Sequence, residues 1–388
     1  MQKIKIIEAI KIIDDFKKSP KNYISSINLD KKIPYFSVVK TEQYFFEQLL
    51  KLNDQQKLAI DDLSARLDRV NKQIVNKIQK NIQLKKDGLS LRLMPINRVG
   101  IYIPKQMPSS AYTFLSAANA AGVNNIVLFV AQDSSGDIDP LTIYIAKKYK
   151  SHIIGGPARI AFPTLAFGTE EVEKCDLICG PCGDNLNLLK NLCGLIGSVA
   201  VDMSSGASDL TIISDKEEYW EQIFYDLLSQ LEHGKDSTSQ LIIVGDNAKV
   251  SFDNCQYKYR LMETQVIDIV YVKESSYAID IVCKKSPETL EVFSDDIEKY
   301  EKCYKSCGLV YFNTSSTLGD YGVIGRGCAD PTGGCANGQS GISPFKFLKI
   351  VPVVTDINMT SKHIDAAISL AQYENLLAHK KALNNIKS

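Results

Sequence analysis

The chain has 388 residues, 45% of them hydrophobic, and its 45 basic side chains balance its 45 acidic ones. This balance argues against function classes that need a strong net charge, such as proteins that bind nucleic acid or an anionic membrane. Length favours two or three domains, and no apolar run approaches the roughly 18 residues of a membrane span. The charged N-terminal stretch does not resemble a cleavable leader, so we expect a cytoplasmic protein whose ten cysteines stay reduced.

Residues 1–83 have a helical pattern and carry no motif. Residues 1–40 predict a helix and a turn-rich connection, and residues 41–83 predict one or two long helices with apolar residues at three- and four-residue steps. This part of the sequence therefore predicts structure but no chemistry.

From Arg98 onward, short apolar strands alternate with helical runs. The predicted strands are Val99–Pro104, Asn125–Ala131, Ser151–Gly156, Cys175–Pro181 and Ser198–Met203. This alternation predicts a parallel, doubly wound sheet, which binds ligands at the carboxyl ends of its strands. The GxGxxG fingerprint is absent from this unit, so a nucleotide site here would be of an atypical kind.

A second alternating block follows the first. Its predicted strands are Asp209–Ser214, Leu241–Gly245, Ile267–Val272 and Gly308–Phe312. We expect an α/β fold with two doubly wound, Rossmann-like open sheets and helical N-terminal and C-terminal extensions, the N-terminal helices completing the second sheet. The glycine-dense stretch Gly319–Gly341 is a long loop of the kind that is usually functional. Residues 361–387 predict a last helix.

An amphipathic helix ends near Leu231, and two neutral donor side chains leave its end together. Gln230 lies at the edge of the buried face, and His233 lies one turn further on. Two such groups at the end of a packed helix suit a metal ion. The alternative is a helix end that carries a solvated Gln and His.

Three cysteines form a competing pattern. Cys175, Cys179 and Cys182 have the CxxxCxxC spacing used by iron–sulfur sites of radical enzymes. Cys175 and Cys179 are expected on one side of a buried strand, and the structural alternative is that they are ordinary packing residues. Cys303 and Cys307, one helical turn apart, are also expected to pack.

Six segments together resemble the histidinol dehydrogenase family, whose members are zinc- and NAD-dependent enzymes of histidine biosynthesis. These segments are Val99–Pro104 (VGIYIP), Leu165–Glu170 (LAFGTE), Val201–Met203 (VDM), Asp226–Gly234 (DLLSQLEHG), Gly319–Tyr321 (GDY) and Glu374–Lys380 (ENLLAHK). They occur in the family's order and at compatible intervals. Each segment alone is a weak signal, but together they are specific.

The resemblance implies one zinc ion held by Gln230, His233, Asp320 and His379, with His379 supplied by the C-terminal tail of the partner in a homodimer. Two of the four histidines in the chain fall on these positions. Zinc in this family holds the substrate so that its alcohol carbon faces the nicotinamide. The alternatives are that Asp320 is a loop turn residue and His379 a charge partner at a helix end.

The same resemblance implies contacts to an amino alcohol substrate from Ser208, Asp320, Glu374 and His379. Asp209 follows Ser208 where the family has a glutamate. Asp209 is the shorter acid, so the resemblance does not define its role.

The catalytic pair departs from the family pattern. Glu288 matches the residue that activates water for the second oxidation, but Thr289 stands where the family has the histidine that accepts the alcohol proton. Thr289 has no useful proton affinity near neutral pH, which leaves Glu288, zinc-bound water or another group as the base. A second family histidine is replaced by Cys328 or a neighbour.

The cofactor contacts also depart from the pattern. The resemblance implies NAD binding near Tyr102, Asp184 and Asn185. Lys105 and Gln106 stand where the family has two glycines, so their side chains crowd the pyrophosphate path unless Lys105 pairs with a phosphate. Fewer of the family's residues therefore remain for NAD than for zinc.

We thus expect a zinc- and NAD-dependent enzyme that oxidises L-histidinol to L-histidine through the aldehyde. The alternatives are a diverged paralogue acting on another amino alcohol, and a catalytically impaired homologue that binds zinc and a small ligand. The expected domains are a discontinuous zinc and substrate domain (1–101 and 208–345), a nucleotide-binding-like domain (102–207) and a helical tail that reaches the partner subunit (346–388). No nucleic acid or membrane partner is expected.

Overall fold

The computed structural model describes residues 2–29, 40–81, 85–86, 88–255, 267–327, 329–355 and 360–387. The chain separates into two compact units, one formed by Met1–Val75 and Pro95–Leu348 and the other by Asn76–Met94 and Lys349–Ser388. No helix within the described ranges combines the length and the apolarity needed to cross a bilayer. The predicted substitution at Cys328 lies outside these ranges.

Helices and strands alternate through most of the first unit. The helices are α1 (Gln2–Lys18), α2 (Pro20–Leu29), α3 (Glu42–Leu49), α4 (Asp54–Asn81), α5 (Pro108–Ala121), α6 (Pro140–Lys148), α7 (Ala158–Phe167), α8 (Asp184–Gly197), α9 (Trp220–Leu231), α10 (Asp246–Cys255), α11 (Ser275–Lys285), α12 (Thr317–Asp320), α13 (Ser361–Tyr373) and α14 (Leu377–Lys387). The strands are β1 (Lys85–Lys86), β2 (Leu89–Pro95), β3 (Arg98–Ile103), β4 (Asn125–Ala131), β5 (His152–Gly156), β6 (Leu177–Cys179), β7 (Ala200–Val201), β8 (Asp209–Ser214), β9 (Thr238–Val244), β10 (Ile267–Val272), β11 (Thr289–Phe293), β12 (Leu309–Phe312) and β13 (Leu348–Val354).

Five parallel strands in the order β5-β4-β3-β6-β7 form the first sheet. Strands β3 and β4 are buried along most of their length because helices cover both faces, so their sequences are continuous apolar runs. One core lies on each face, with Ile101 in one and Phe129 in the other. The predicted doubly wound sheet is confirmed.

The second sheet also has five parallel strands, in the order β10-β9-β8-β11-β12. The predicted α/β fold with two open sheets is therefore confirmed. The sequence analysis misses β11, which pairs with β8 on one side and β12 on the other. This strand is short, and the fully buried carboxyl group of Glu291 interrupts the apolar pattern by which buried strands are predicted.

The N-terminal helices pack against helices of the first sheet. Ile13 and Phe16 of α1 are buried in one core with Phe162 of α7, and Leu67 of α4 is buried in the other with Leu115 of α5. This packing differs from the predicted grouping of residues 1–101 with the second sheet. The reason is that α1 and α4 each present an apolar face that the helices flanking the first sheet cover.

The second unit contains a small sheet, in the order β1-β2-β13, and the helix pair α13 and α14. The predicted single tail helix is interrupted at Asn375, whose φ of 58° is left-handed and ends the helical run. Several large apolar side chains of this unit are strongly exposed in the single chain, among them Leu370 (61%), Tyr373 (86%) and Leu377 (67%).

A buried ion pair joins the carboxyl ends of β6 and β7. The ammonium of Lys190, on α8, lies 2.8 Å from Oδ1 of Asp202, and neither side chain is exposed. Its other hydrogen bonds go to the carbonyl oxygens of Gly180 and Met203 and to Oγ of Ser205. Asp202 also accepts a hydrogen bond from the Gly180 amide. The pair therefore fixes the turn after β6 to the turn after β7.

We expect Lys190→Met to lower the free energy of unfolding by about 3–5 kcal/mol, because it leaves the Asp202 carboxylate buried without its partner. Urea unfolding followed by circular dichroism measures the loss. Lys148→Met is the control, because its pair with Asp61 is partly exposed and is expected to contribute less than about 1 kcal/mol. Equal losses in the two variants would contradict the role given to Lys190.

Candidate active site

A cleft of about 380 Å³ lies in the first unit, where the carboxyl ends of the first sheet meet the amino ends of β8 and β11. The turns after β3 and β6 form one wall, and the end of α9 and the segments before β8 and β11 form the other. Residues at these positions that line the cleft are Pro104, Pro181, Ser208, His233, Glu288 and Asp320. The predicted ligand site near Pro104 and Gly180 thus coincides with a cleft.

His233 and Asp320, two of the predicted zinc ligands, lie side by side in the cleft. Nε2 of His233, just beyond the end of α9, is 3.7 Å from Oδ2 of Asp320, the last residue of α12. Two ligands of one tetrahedral zinc ion are about 3.4 Å apart, so this separation suits a shared ion. The interaction with Asp320 raises the pKa of His233, and burial opposes that shift.

Gln230, the third predicted ligand of the first unit, has a buried side chain that is only 6% exposed. Its amide Nε2 has no hydrogen-bond partner among the described residues. A buried donor without a partner lowers the stability of the fold unless a ligand or a neighbour accepts its hydrogen bond. This orphaned amide fits a role in binding. No group of three or more His, Cys, Asp and Glu side chains arranged for a metal occurs in the described ranges, so a complete site needs further donors.

The other predicted ligand, His379, belongs to the second unit together with the predicted substrate contact Glu374. Both side chains are exposed in that unit. Ser208, also a predicted substrate contact, lines the cleft together with Glu288. The roles of these three residues remain predictions.

Glu288 lies in the cleft just before β11. Its Oε2 accepts a hydrogen bond from the Asp209 amide at 3.3 Å, and its own amide donates to Oδ1 of Asp209 at 3.2 Å. Burial raises the pKa of Glu288 to about 8, and the negative charges of Asp330 and Asp209 add to the shift. A carboxyl group with a pKa of about 8 is mostly protonated at neutral pH, and its deprotonated fraction, which grows as the pH rises, can take a proton from a substrate.

Thr289, the other predicted catalytic residue, is the first residue of β11. It is 6% exposed, and its main chain is paired with Leu210 and Leu309. Thr289 is not among the residues that line the cleft. This position makes Thr289 a packing residue, which leaves Glu288 as the member of the pair that can exchange protons in the cleft.

The predicted cofactor contacts differ in burial and in whether they line the cleft. Tyr102 is 3% exposed and packs on Phe162, with the ring centroids 5.3 Å apart. Its ring is buried with Phe129 in one core of the first sheet, and its predicted contact with NAD stays a prediction. Asp184 lines the cleft at the start of α8, where its Oδ1 accepts a hydrogen bond from the Ala207 amide at 3.1 Å. Asn185, next to it, is exposed.

Two glycines permit close approaches that shape the cleft. Gly180 has a φ of +129°, and a Cβ there would collide with the main chain of Tyr102. Gly322, in the glycine-dense loop, has a φ of +70° and would collide with Leu67 of α4. Larger residues at either position would therefore displace a segment next to the cleft.

The cysteine pattern does not form a metal site among the described residues. Cys175, Cys179 and Cys182 are all buried, and burial raises the pKa of each thiol. Burial therefore disfavours the thiolates that an iron–sulfur cluster needs. Cys303 and Cys307 pack in a core of the second sheet, as predicted.

Asp330 lines the cleft but was not among the predicted site residues. It is 2% exposed and receives two hydrogen bonds from the Arg326 guanidinium, at 2.9 and 2.5 Å. The only signal in the sequence is a charged residue within the glycine-dense loop, and such residues are common in loops.

Residues 8–385 match the family model described as histidinol dehydrogenase. The chain belongs to the histidinol dehydrogenase family. It is 28% identical over 406 residues to a histidinol dehydrogenase of Oceanobacillus iheyensis, which covers 98% of this chain and 91% of that relative. A histidinol dehydrogenase of Lactiplantibacillus plantarum is 30% identical over 315 residues, 76% of this chain and 72% of that relative.

A crystal structure of histidinol dehydrogenase from Elizabethkingia anophelis has the same fold, with a TM-score of 0.83 and 25% identity. The match covers 98% of this chain and 91% of that structure. The resemblance stated from six segments is therefore confirmed over nearly the whole chain. As a member of the histidinol dehydrogenase family, the protein is an oxidoreductase.

We expect Glu288→Gln to change how stability depends on pH. The pKa of Glu288 is raised from 4.5 to about 8, so the folded protein holds a proton that the unfolded chain releases. The stabilisation is complete below pH 4.5 and is lost as the pH rises to about 8. The wild type should therefore lose unfolding free energy relative to Glu288→Gln as the pH rises from about 5 to about 9. Glu221→Gln, at an exposed position of α9, is the control, and its stability relative to the wild type should not change with pH. A difference between the wild type and Glu288→Gln that stays constant with pH would contradict the raised pKa of Glu288.

Proposed function

We propose that this protein oxidises L-histidinol to L-histidine through the aldehyde, with zinc and NAD. The observation that carries the proposal is the meeting of His233, Asp320 and Glu288 in one cleft, in a chain of this family. The first two supply metal donors and the third supplies a proton acceptor. A zinc-dependent alcohol oxidation uses both, together with a hydride acceptor.

Gln230, His233 and Asp320 would hold the zinc ion, and His379 of a second copy would complete the donor set. The ion, when bound, fixes the amine and imidazole of the substrate. The nitrogen and oxygen donors suit zinc, with Oε1 as the atom of Gln230 that could bind the ion. Ser208 lies just before β8, lines the same cleft as Glu288, and would contact the substrate.

Glu288 would accept the proton from the alcohol in the first oxidation, while NAD takes the hydride from carbon. In the second oxidation it would accept a proton from the water that adds to the aldehyde, and a second NAD takes the second hydride. The first oxidation would release one proton and one NADH. The second would release two protons and one NADH, because its product is ionised as a carboxylate near neutral pH. Loss of a positioned base commonly costs about 100- to 10,000-fold, so we expect turnover to be slow relative to relatives that keep the histidine.

NAD would bind at the first-sheet side of the cleft, near the start of α8. Gly183 precedes this helix, and a Cβ at this glycine would meet no atom within 4 Å, which leaves room for a ligand. Main-chain amides at the start of a helix attract phosphate groups. Asp184 lines the cleft at this point, and with Asn185 it remains the proposed cofactor contact.

Thr289 supports a second candidate function. It stands where the family has its base histidine, it is buried in β11, and it does not line the cleft, so this position supplies no base. The protein would then be a paralogue that acts on another amino alcohol, or a homologue that binds zinc and a small ligand without turnover. A higher rate in Thr289→His would favour the diverged enzyme over the inactive homologue.

We expect zinc-loaded protein to form NADH from L-histidinol and His233→Ala to lose more than about 100-fold in rate. The expected loss is large because changing even an outer partner of a metal ligand costs about 10- to 100-fold. His152→Ala is the matched control, since His152 is exposed at the start of β5. NADH absorbance measures the rate. An absence of NADH from every amino alcohol tested, with no NAD binding by calorimetry, would contradict the enzymatic proposal and leave the non-catalytic homologue.

The proposed homodimer would exchange its tails. The exposed apolar side chains Leu370, Tyr373 and Leu377 are consistent with burial against a second copy, because surfaces of this kind are usually covered. Exchange of the tail would bring His379 to the Gln230 and His233 of the other subunit.

Mixing subunits tests this exchange. Homodimers of His233→Ala and of His379→Ala should each lose tight zinc binding, whereas unfolding and refolding them together should restore about a quarter of the wild-type tight sites. The reason is that half of the mixed dimers are heterodimers, and each heterodimer has one intact site. A chelator competition assay counts the tight sites. No recovery in the mixture, with heterodimers shown by mass, would contradict an exchanged tail.

A further inference from the structure

Two carboxyl groups are buried together behind the cleft, and the proposed chemistry does not use them. Asp226 of α9 is 1% exposed and Glu291 of β11 is not exposed at all. Each carboxyl group lies close enough to shift the pKa of the other, and burial raises the pKa of both.

The pair connects three elements of the second sheet. Asp226 accepts hydrogen bonds from Nε2 of Gln222 at 3.0 Å and from Oγ of Ser315, in the segment after β12. Oε1 of Glu291 accepts a hydrogen bond from the Ser316 amide at 2.7 Å. Helix α9, strand β11 and the segment before α12 are therefore held at one point.

The same hydrogen bonds hold the start of the short helix α12. The carbonyl oxygen of Ser316 accepts hydrogen bonds from the amides of Gly319 at 2.8 Å and Asp320 at 3.3 Å. Ser316 is in turn held by Glu291 through its amide. Since α12 has only one turn, the position of its start determines the position of Asp320 at its end.

The pair also lies next to Gln230. Asp226 and Gln230 are four residues apart on α9 and share one face of the helix. The amide Nε2 of Gln230 is a donor without a partner, and Oε2 of Glu291 is an acceptor without a partner, both buried in the described part of the chain. These two atoms do not bond to each other, so the pair acts on Gln230 through α9 itself: the hydrogen bonds of Asp226 hold the helix one turn before Gln230.

We propose that Asp226 and Glu291 are a positioning pair that holds Gln230 and Asp320 at the spacing that a divalent cation needs. This inference rests on the proposed function, because it concerns the same metal site. Neither residue contacts the ion or the substrate. The pair acts through the hydrogen bonds that fix the end of α9 and the start of α12.

Zinc affinity of the full-length dimer tests the pair. Asp226→Asn and Glu291→Gln preserve size and remove one carboxyl group each, and we expect each to weaken zinc binding about 10- to 100-fold in competition with a chromophoric chelator. The visible spectrum of the cobalt-substituted protein should change in both variants, since it reports the arrangement of ligands. The double variant should be little worse than either single variant, because the two residues act as a unit.

Ser239→Ala is the matched control. The Ser239 hydroxyl is buried and donates to the carbonyl oxygen of Leu227 at 2.8 Å, so this variant loosens α9 without touching the pair. It should lose stability and keep the wild-type zinc affinity and cobalt spectrum. If Asp226→Asn does not fold, Ser315→Ala removes a single hydroxyl from the same network and should lower zinc affinity in the same direction.

The outcomes separate the two proposals. Tight zinc binding in the wild type with unchanged affinity and spectrum in the variants would overturn the positioning pair and leave the metal site standing. No zinc binding in the wild type would overturn the metal site and the positioning pair together. An affinity loss in Ser239→Ala equal to that in Glu291→Gln would also overturn the inference, because general loosening of the second sheet would then explain it.

Discussion

The cleft depends on a charge that is buried beneath one of its walls. Removing an ammonium and a carboxylate from water is costly, and the cost is offset only where further hydrogen bonds satisfy both groups. Lys190 meets this condition, because its hydrogen bonds reach Asp202, two carbonyl oxygens and Ser205. The turns that hold Pro181 and Ser205 are tied to this one ammonium, so the first-sheet wall is set by electrostatics as well as by packing.

The fold could be predicted where the sequence pattern is uniform. Strands such as β4 and β8 are continuous apolar runs between turns, and their predicted bounds match the structure. Strand β11 could not be found, because Glu291 is a carboxyl group whose burial depends on Asp226 and Ser316, which come from distant parts of the chain. The break at Asn375 was missed because the apolar spacing continues on both sides of it.

The candidate site was predicted where a residue type and a motif agree. Gln230, His233, Asp320 and Glu288 were identified from their segments, and His233, Glu288 and Asp320 line one cleft. Tyr102 was assigned to the cofactor because its segment is characteristic, but its ring is buried against Phe162 and is not among the residues that line the cleft. The rule that ligands bind at the carboxyl ends of parallel strands finds only half of this site, since the second sheet contributes its amino ends. No local pattern indicates which end of the second sheet faces the first.

The main-chain hydrogen bonds of Glu288 have a consequence for substitutions at the next residue. Its main-chain carbonyl accepts from the Leu309 amide at 3.0 Å, its amide donates to Asp209, and the next residue is locked into a parallel ladder on both sides. The backbone alone therefore determines where this carboxylate stands, whatever side chain follows it. A different residue at the next position would therefore leave the acid in place, so the reaction rate could change without a change in the architecture that carries it.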